Sequence, residues 1–109
     1  GLSETEAKQR GVAVKIGKFP LSASGRALAM NETAGFVKTV VDAGNDQLLG
    51  MGIVGAEASE LIAEGALALE MCAYAEDVAL TVHTHPTLAE ALNESVRHAL
   101  KEAIHVLNK

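Results

Sequence analysis

Apolar residues follow two different periods along the chain, and the shorter period marks the strands. The run VAVKIGKF alternates apolar with polar or small residues, which predicts a strand over 12–19 that Pro20 ends. Two further β-rich runs, 35–42 and 47–55, flank the turn sequence AGND and predict an antiparallel hairpin. One more short strand is expected at 26–30. The sheet is therefore expected to have about four strands.

Helical periodicity appears in four other places. An S-x-x-E capping box precedes a helix expected over 4–10. A longer run, 57–75, has helical spacing, and a short helical turn follows in AEDVAL. The last helix is expected from Thr87 to about Leu107. One stripe of this helix is apolar and consists of Leu88, Leu92, Val96, Leu100, Ile104 and Leu107.

The run 57–75 is unusual because small or apolar residues occupy most of its circumference. A helix of this kind is buried on more than one side. In a small domain, the second buried side indicates a partner subunit. Together the elements predict one α+β domain over 1–109, an antiparallel sheet packed with helices.

Charge and cysteine content exclude several classes of function. The formal net charge is −5, and no Lys/Arg cluster is present, which argues against nucleic acid and against an anionic membrane surface. The one cysteine, Cys72, lies in the apolar run MCAYA, so we expect a buried, inert thiol and a reducing compartment. No apolar run has the length of a membrane span. We therefore expect a cytoplasmic protein. The chain opens at Gly1 without Met, as in a piece of a longer protein.

The run GMGIVG, at 50–55, has the G-x-G-x-x-G spacing of a dinucleotide fingerprint, and a helix follows it. A nucleotide-binding unit is therefore one hypothesis. The fingerprint, however, needs its glycines in the turn after a strand, whereas these lie within the second run of the hairpin. A strand interrupted by glycines is the favoured interpretation.

Histidines provide the candidate chemistry. His83 and His85 are two residues apart, so on a strand they would point the same way, as two metal ligands can. Zinc, however, takes three or four protein ligands, and His98 and His105 lie far along a helix. We expect no metal site.

The run HTHPTLAEAL admits two interpretations. Thr87 and Glu90 form a T-x-x-E capping box, which makes His85 a loop residue with no special role. Alternatively, Pro86 keeps His85 out of the helix, and the loop folds the imidazole back onto Glu90. Such a histidine–carboxylate pair performs acid–base chemistry near neutral pH. Spacing alone leaves both interpretations open.

The same run resembles the H-x-H-P-T-x-x-E signature of the pyridine nucleotide–disulfide oxidoreductases, a family of flavin enzymes. The stretch FPLSASGRA and the double histidine favour the dihydrolipoamide dehydrogenase branch. The resemblance covers nearly the whole chain, in order, and corresponds to the C-terminal interface domain. Its other stretches are GLSETEAKQRG, KIGKFPLSASGRALA, GFVKTVVD, LLGMGIVGAEASELIAEGALALE and AEDVALTVH.

The resemblance implies roles for single residues. His85 would be the acid–base partner of a redox-active dithiol in the other subunit of a homodimer, and Glu90 would orient and charge it. The backbone of His85 and Pro86 would lie against the partner subunit's flavin, with the His85–Pro86 peptide cis. His83 would sit near the same site with a weaker claim to a role. GMGIVG would be a strand of the interface sheet.

The resemblance also implies that the parent enzyme uses FAD and NAD. It would serve the acyltransferase component of a 2-oxo acid dehydrogenase complex. The domain's usual first strand, the FAD and NAD domains and the redox disulfide are not in this chain. We therefore expect no bound cofactor and no activity from the chain alone. The alternatives are a purely structural dimerisation module with idle histidines and a related flavin disulfide reductase.

Overall fold

Three strands form the sheet: β1 (Val14–Pro20), β2 (Phe36–Asp42) and β3 (Leu48–Val54). They are antiparallel neighbours in the order β1-β2-β3. The computed structural model describes all 109 residues. Helices cover this sheet, so the predicted α+β class is confirmed, whereas the expected strand number of about four is too high by one.

Five helices and one 3₁₀ turn complete the fold. In chain order they are α1 (Glu4–Gln9), the 3₁₀ turn (Leu21–Ala23), α2 (Gly25–Met30), α3 (Ala58–Glu70), α4 (Ala75–Leu80) and α5 (Glu90–Ala99). The capping box predicted for α1 is present, with the Ser3 hydroxyl accepting the Glu6 N–H and the Glu6 carboxylate accepting the Ser3 N–H.

The hairpin of β2 and β3 forms where the turn sequence predicts it. The Asp42 side chain accepts the N–H of Gly44 at 2.7 Å, which is a local turn bond typical of aspartate. The glycines of GMGIVG lie within β3 and at its end. A Cβ on Gly50 would come within 1.9 Å of the Leu2 carbonyl oxygen. This glycine therefore allows close backbone packing and is not in a phosphate-binding turn.

The core lies between the sheet and α5. Phe19 of β1 and Val37 of β2 are paired across the sheet and pack with the fully buried Leu92 of α5. The buried hydroxyls of Thr39 and Ser95 are 2.7 Å apart and join the sheet to the same helix. This close packing fixes α5, and α5 in turn fixes the segment that precedes it.

The segment 26–30 is helical and is not the strand that we expected. Ser24 is the N-cap of α2, with its hydroxyl accepting the Ala27 N–H at 3.2 Å. Asn31 ends the helix in the left-handed conformation at φ 56°. Ala and Leu in between favour a helix, and the serine cap was a signal that the sequence offered.

The apolar run 57–75 is shorter as a helix than expected, because α3 ends at Glu70. Cys72 has a left-handed φ of 53°, and the Ala73 N–H returns to the Ala68 carbonyl. The Cys72 side chain is exposed, so the expectation of a buried thiol was wrong. Only Gly65 of α3 is fully buried; its other residues are divided between partly buried and exposed, and Leu67 is 64% exposed within the chain.

The last helix also ends early, at Ala99 and not near Leu107. Lys101 adopts a left-handed φ of 61°, and the chain then turns back. The buried Glu94 carboxylate accepts the N–H groups of Ile104 and His105, which holds the returning segment against α5. The apolar spacing continues beyond Ala99, but these contacts with Glu94 replace further helix.

Candidate functional site

The candidate site is the connection between α4 and α5, residues 81–89. Its turn at His85 and Pro86 projects from the surface, and the His85 side chain is 71% exposed. The His85–Pro86 peptide is cis, as the resemblance led us to expect. Glu90 is the first residue of α5, so the packed helix determines where its carboxylate lies.

His85 and Glu90 form the contact that the folded-back loop predicts. The Nδ1 atom of His85 lies 2.9 Å from Oε1 and 3.0 Å from Oε2 of Glu90. Since a carboxylate accepts, Nδ1–H donates to it. The Nε2 atom has no hydrogen-bond partner in the chain, and the ring is largely exposed. This arrangement leaves one ring nitrogen free to exchange a proton with a group outside the chain.

The environment of Glu90 favours its charged form. Partial burial works to raise the pKa of Glu90, but the Thr87 N–H and the His85 ring act in the opposite direction and prevail, so the pKa lies below its ordinary value. The Thr87 N–H donates to Oε1 at 2.9 Å. A carboxylate that stays ionised stabilises an imidazolium beside it.

The predicted capping box at Thr87 is only half formed. Glu90 accepts the Thr87 N–H, but the Thr87 hydroxyl donates to the Thr84 carbonyl oxygen at 2.7 Å and caps no helix N–H. The helix therefore starts at Glu90, and Thr87 closes the turn. A carboxylate has enough acceptor sites for both Thr87 and His85, so the two interpretations of this run are compatible.

A second histidine–carboxylate pair lies two residues before the first. The Nε2 atom of His83 lies 2.6 Å from Oε2 of Glu64 on α3, and Nδ1 lies 2.9 Å from the Thr81 carbonyl oxygen. The His83 side chain is 8% exposed. Glu64 was not singled out from the sequence, because a separation of 19 residues in different elements has no local signature.

Two further contacts around the site were also missed. The Arg26 guanidinium donates to the Pro86 carbonyl oxygen at 3.2 Å and ties the turn to α2. Next to the turn is a cavity of about 200 Å³, whose lining includes Phe19, Leu28, His85 and His105. His105 comes to this place only because the chain reverses after α5.

The other histidine hypotheses are not supported by the geometry. His98 accepts the Lys18 N–H through Nδ1 at 2.9 Å, which is a structural bond on β1. No group of three or more His, Cys, Asp or Glu side chains is arranged to hold a metal ion.

No helix has the combination of length and hydropathy that crossing a bilayer requires.

Similarity to known proteins shows the family of the chain. Residues 1–96 match the family model described as "Pyridine nucleotide-disulphide oxidoreductase, dimerisation domain". The chain belongs to this family. It is a dimerisation domain by family, and the curated relatives that it resembles are named dihydrolipoyl dehydrogenase.

The similarity to curated proteins of that name extends over the entire chain. The chain is 54% identical over 109 residues to dihydrolipoyl dehydrogenase of Thermus scotoductus, and this covers 100% of the chain and 24% of that protein. It is 53% identical to dihydrolipoyl dehydrogenase of Haloferax volcanii, with 100% and 23% covered. The chain thus spans about a quarter of the length of these relatives.

Solved structures show the same architecture. LpdA from Mycobacterium tuberculosis superposes with a TM-score of 0.83 at 27% identity, over 89% of this chain and 21% of that one. The flavoprotein disulfide reductase RclA from Escherichia coli gives a TM-score of 0.83 at 26% identity, over 88% and 22%. Both TM-scores are well above the value that indicates a shared fold.

Proposed function

We propose that this chain is the part of a dihydrolipoyl dehydrogenase that dimerises and supplies the acid–base residue for the partner subunit's site. The observation that carries the proposal is the His85–Glu90 pair, with Nδ1 held by the carboxylate and Nε2 free. The parent enzyme oxidises dihydrolipoamide to lipoamide, with a redox disulfide, FAD and NAD. The 54% identity with a dihydrolipoyl dehydrogenase supports this choice of substrate.

Proton transfer is the chemistry that His85 can perform. Its Nε2 accepts the proton of a dihydrolipoamide thiol, and the resulting thiolate attacks one sulfur of the enzyme disulfide and displaces the other. The imidazolium that forms is stabilised by Glu90, whose lowered pKa keeps the carboxylate charged. The chain has a single cysteine, Cys72, which cannot form a disulfide within the chain, so in this proposal the disulfide belongs to another part of the parent.

The shape of the site fits contact with a flavin that is held mainly elsewhere. The cavity beside His85 is about 200 Å³, smaller than the ~300–1,000 Å³ of typical ligand pockets. The exposed turn at His85 and Pro86 has a backbone edge that can lie along a flavin ring. When bound, FAD would accept the electrons of the reduced enzyme disulfide. This chain would contribute only the placement of His85 beside the flavin.

Assembly completes the site in this proposal. The histidine is exposed, and a chain with a single cysteine has no disulfide of its own, which fits a homodimer in which His85 serves the opposite subunit. A 2-oxo acid dehydrogenase complex, through its lipoyl-bearing acyltransferase, is the proposed partner of the parent enzyme. A cytoplasmic location likewise stays a prediction.

The test is His85→Gln in the full-length flavoenzyme that contains this chain. Turnover of dihydrolipoamide should fall by at least ~10²-fold, the typical cost of losing a general acid–base group. His98→Asn is the matched control, because its amide oxygen can still accept the Lys18 N–H. Turnover of the His85 variant within a few-fold of the unsubstituted enzyme would instead support a purely structural dimerisation module.

A related flavin disulfide reductase is the second candidate, and the superposition on RclA favours keeping it. Both candidate enzymes would use the same pair of His85 and Glu90, so the preferred substrate distinguishes them. The enzyme should reduce lipoamide with NADH far faster than it reduces other disulfides. If lipoamide is among its poorest substrates while His85 is still essential, the second candidate replaces the first.

A further inference from the structure

The segment that carries His85 is held to α3 by one largely buried side chain, that of His83. Among residues 81–86, only His83 is not exposed. Its ring is 8% exposed, while Val82 beside it is 92% exposed. A loop this open would be mobile if its side chains made no long-range bonds. The bond between His83 and Glu64 is the contact that ties the segment to α3.

The two histidines of the segment have opposite hydrogen-bonding states. In His85 one ring nitrogen is bonded and the other is free, which suits proton transfer. In His83 both nitrogens are bonded, one to the Thr81 carbonyl oxygen and the other to the Glu64 carboxylate. A ring that is enclosed and doubly bonded has no nitrogen left for a substrate. His83 is therefore suited to holding the backbone in place.

We propose that His83 and Glu64 are positioning residues for the reaction, which fix the turn so that the Nε2 atom of His85 reaches the reacting thiol. This inference rests on the proposed function of His85. Misplacing a reacting group by about 1 Å can lower a rate ~10²-fold. His83 is two residues from His85, and its bond to Glu64 anchors it to α3. The bond therefore limits displacements of the His85 ring of that size.

The hydrogen-bonding pattern predicts which substitution is tolerated. The Thr81 carbonyl can only accept, so His83 Nδ1 carries a proton. In Glu64→Gln, the amide N–H can donate to Nε2 of a neutral His83, and the bond to Thr81 is kept. In Glu64→Ala, no side chain at residue 64 can bond to Nε2 of His83, and the ring is no longer held in place. Positioning thus requires a hydrogen-bonding partner at residue 64, and the negative charge is dispensable.

The experiment uses the flavin-containing holoenzyme with Glu64→Ala, Glu64→Gln and His83→Asn. We expect kcat for dihydrolipoamide to fall ~10-fold or more in Glu64→Ala and His83→Asn, with the KM for NAD unchanged. Glu64→Gln should stay within about threefold of the unsubstituted enzyme. Because the two side chains act as one unit, the double variant should lose no more than the worse single variant.

Hydrogen exchange in the same holoenzyme gives a readout that does not depend on turnover. Amides of residues 81–85 should exchange faster in Glu64→Ala and His83→Asn, and at the normal rate in Glu64→Gln. Glu60→Ala is the matched control, since Glu60 lies one turn earlier on α3, is exposed and has no side-chain partner. It should be silent in both measurements, and sedimentation should show all variants as dimers.

The proposal is overturned if Glu64→Ala keeps normal kcat, or if Glu64→Gln loses as much as Glu64→Ala. Unchanged exchange of the segment in His83→Asn also overturns it, even if a variant is too unstable to assay. The parallel His85→Gln variant separates the two levels of inference. If that variant keeps its turnover, the proposed function fails; if it loses turnover while Glu64→Ala does not, only the positioning role fails.

Discussion

Neighbouring histidines acquire different capacities from the oxygen atoms around them. His85 is paired with a carboxylate five residues ahead, and its second nitrogen has no hydrogen-bond partner in the chain. His83 is enclosed, with oxygen atoms at both nitrogens. The residue type and the local sequence are nearly the same in the two cases. What each imidazole can do is therefore decided by its hydrogen-bonding partners.

The pKa of Glu90 tests this description at the scale of one residue. His85→Ala should raise the pKa of Glu90 toward its ordinary value, because one of the groups that lower it is removed, while Thr87 and His105 remain. Carboxyl ¹³C shifts of Glu90 during an NMR titration of the 109-residue chain measure this. Glu6, whose pKa the Ser3 N–H and hydroxyl lower, is the internal control and should not change.

The direction of the pH effect on stability follows from the same pKa. Since the folded pKa of Glu90 is lower than the unfolded one, the stabilisation is complete above about pH 4.3, the unfolded value. It is lost as the pH falls through the folded pKa. The stability of His85→Ala should depend less on pH in this acidic range. An identical acid dependence in both proteins would contradict the description of the pair.

At the scale of elements, single polar side chains decide where helices start and stop. The Ser24 hydroxyl starts α2 in a segment that had the appearance of a strand. The Glu94 carboxylate accepts backbone N–H groups from the chain beyond α5 and keeps that chain folded back. In both cases the decisive bond satisfies a backbone group that would otherwise have no partner.

Glu94→Ala should detach the C-terminal segment. The N–H groups of Ile104 and His105 both donate to Oε2 of Glu94, and that of Ile104 also lies 3.2 Å from Oε1, so removing the carboxylate leaves both donors without their side-chain acceptor. We expect a loss of about 1–3 kcal/mol in the free energy of unfolding, measured by urea denaturation. Amides of 103–107 should exchange faster. Glu102→Ala, at an exposed position outside these bonds, is the control, and equal losses in both variants would contradict the role of Glu94.

At the scale of the whole molecule, the arrangement leaves one apolar helix uncovered. Leu67 and Met71, at the end of α3, are 64% and 72% exposed. The family to which the chain belongs is named for dimerisation. An exposed apolar surface on a dimerisation domain indicates where a second subunit packs.

Leu67→Gln should weaken the assembly without unfolding the subunit. The side chain is exposed in the single chain, so its loss costs little there. Burial of a leucine at an interface contributes about 1.5–3 kcal/mol, which corresponds to a ~10-fold or larger rise in the dimer Kd. Sedimentation of the holoenzyme at a series of concentrations measures the Kd. Val54→Thr, at a residue that is 58% exposed and lies outside α3, is the control. An unchanged Kd for Leu67→Gln would place the interface elsewhere.

The sequence by itself determined what short-range spacing encodes. Alternation located the three strands, the AGND turn located the hairpin, and helical spacing located α1, α3 and α5. The contact of His85 with Glu90 was one of two interpretations that the local spacing left open, because Pro86 and a separation of five residues allow it. Its role in catalysis stays a prediction.

Only the tertiary structure decided the contacts that join distant segments. His83 meets Glu64 across 19 residues, and Arg26 meets Pro86 across 60. The end of α5 depended on Glu94 and a chain reversal, although the apolar spacing continued past it. The physical reason is the same in each case. A periodic pattern specifies which face of an element is apolar, but packing of the whole domain selects which polar groups then meet.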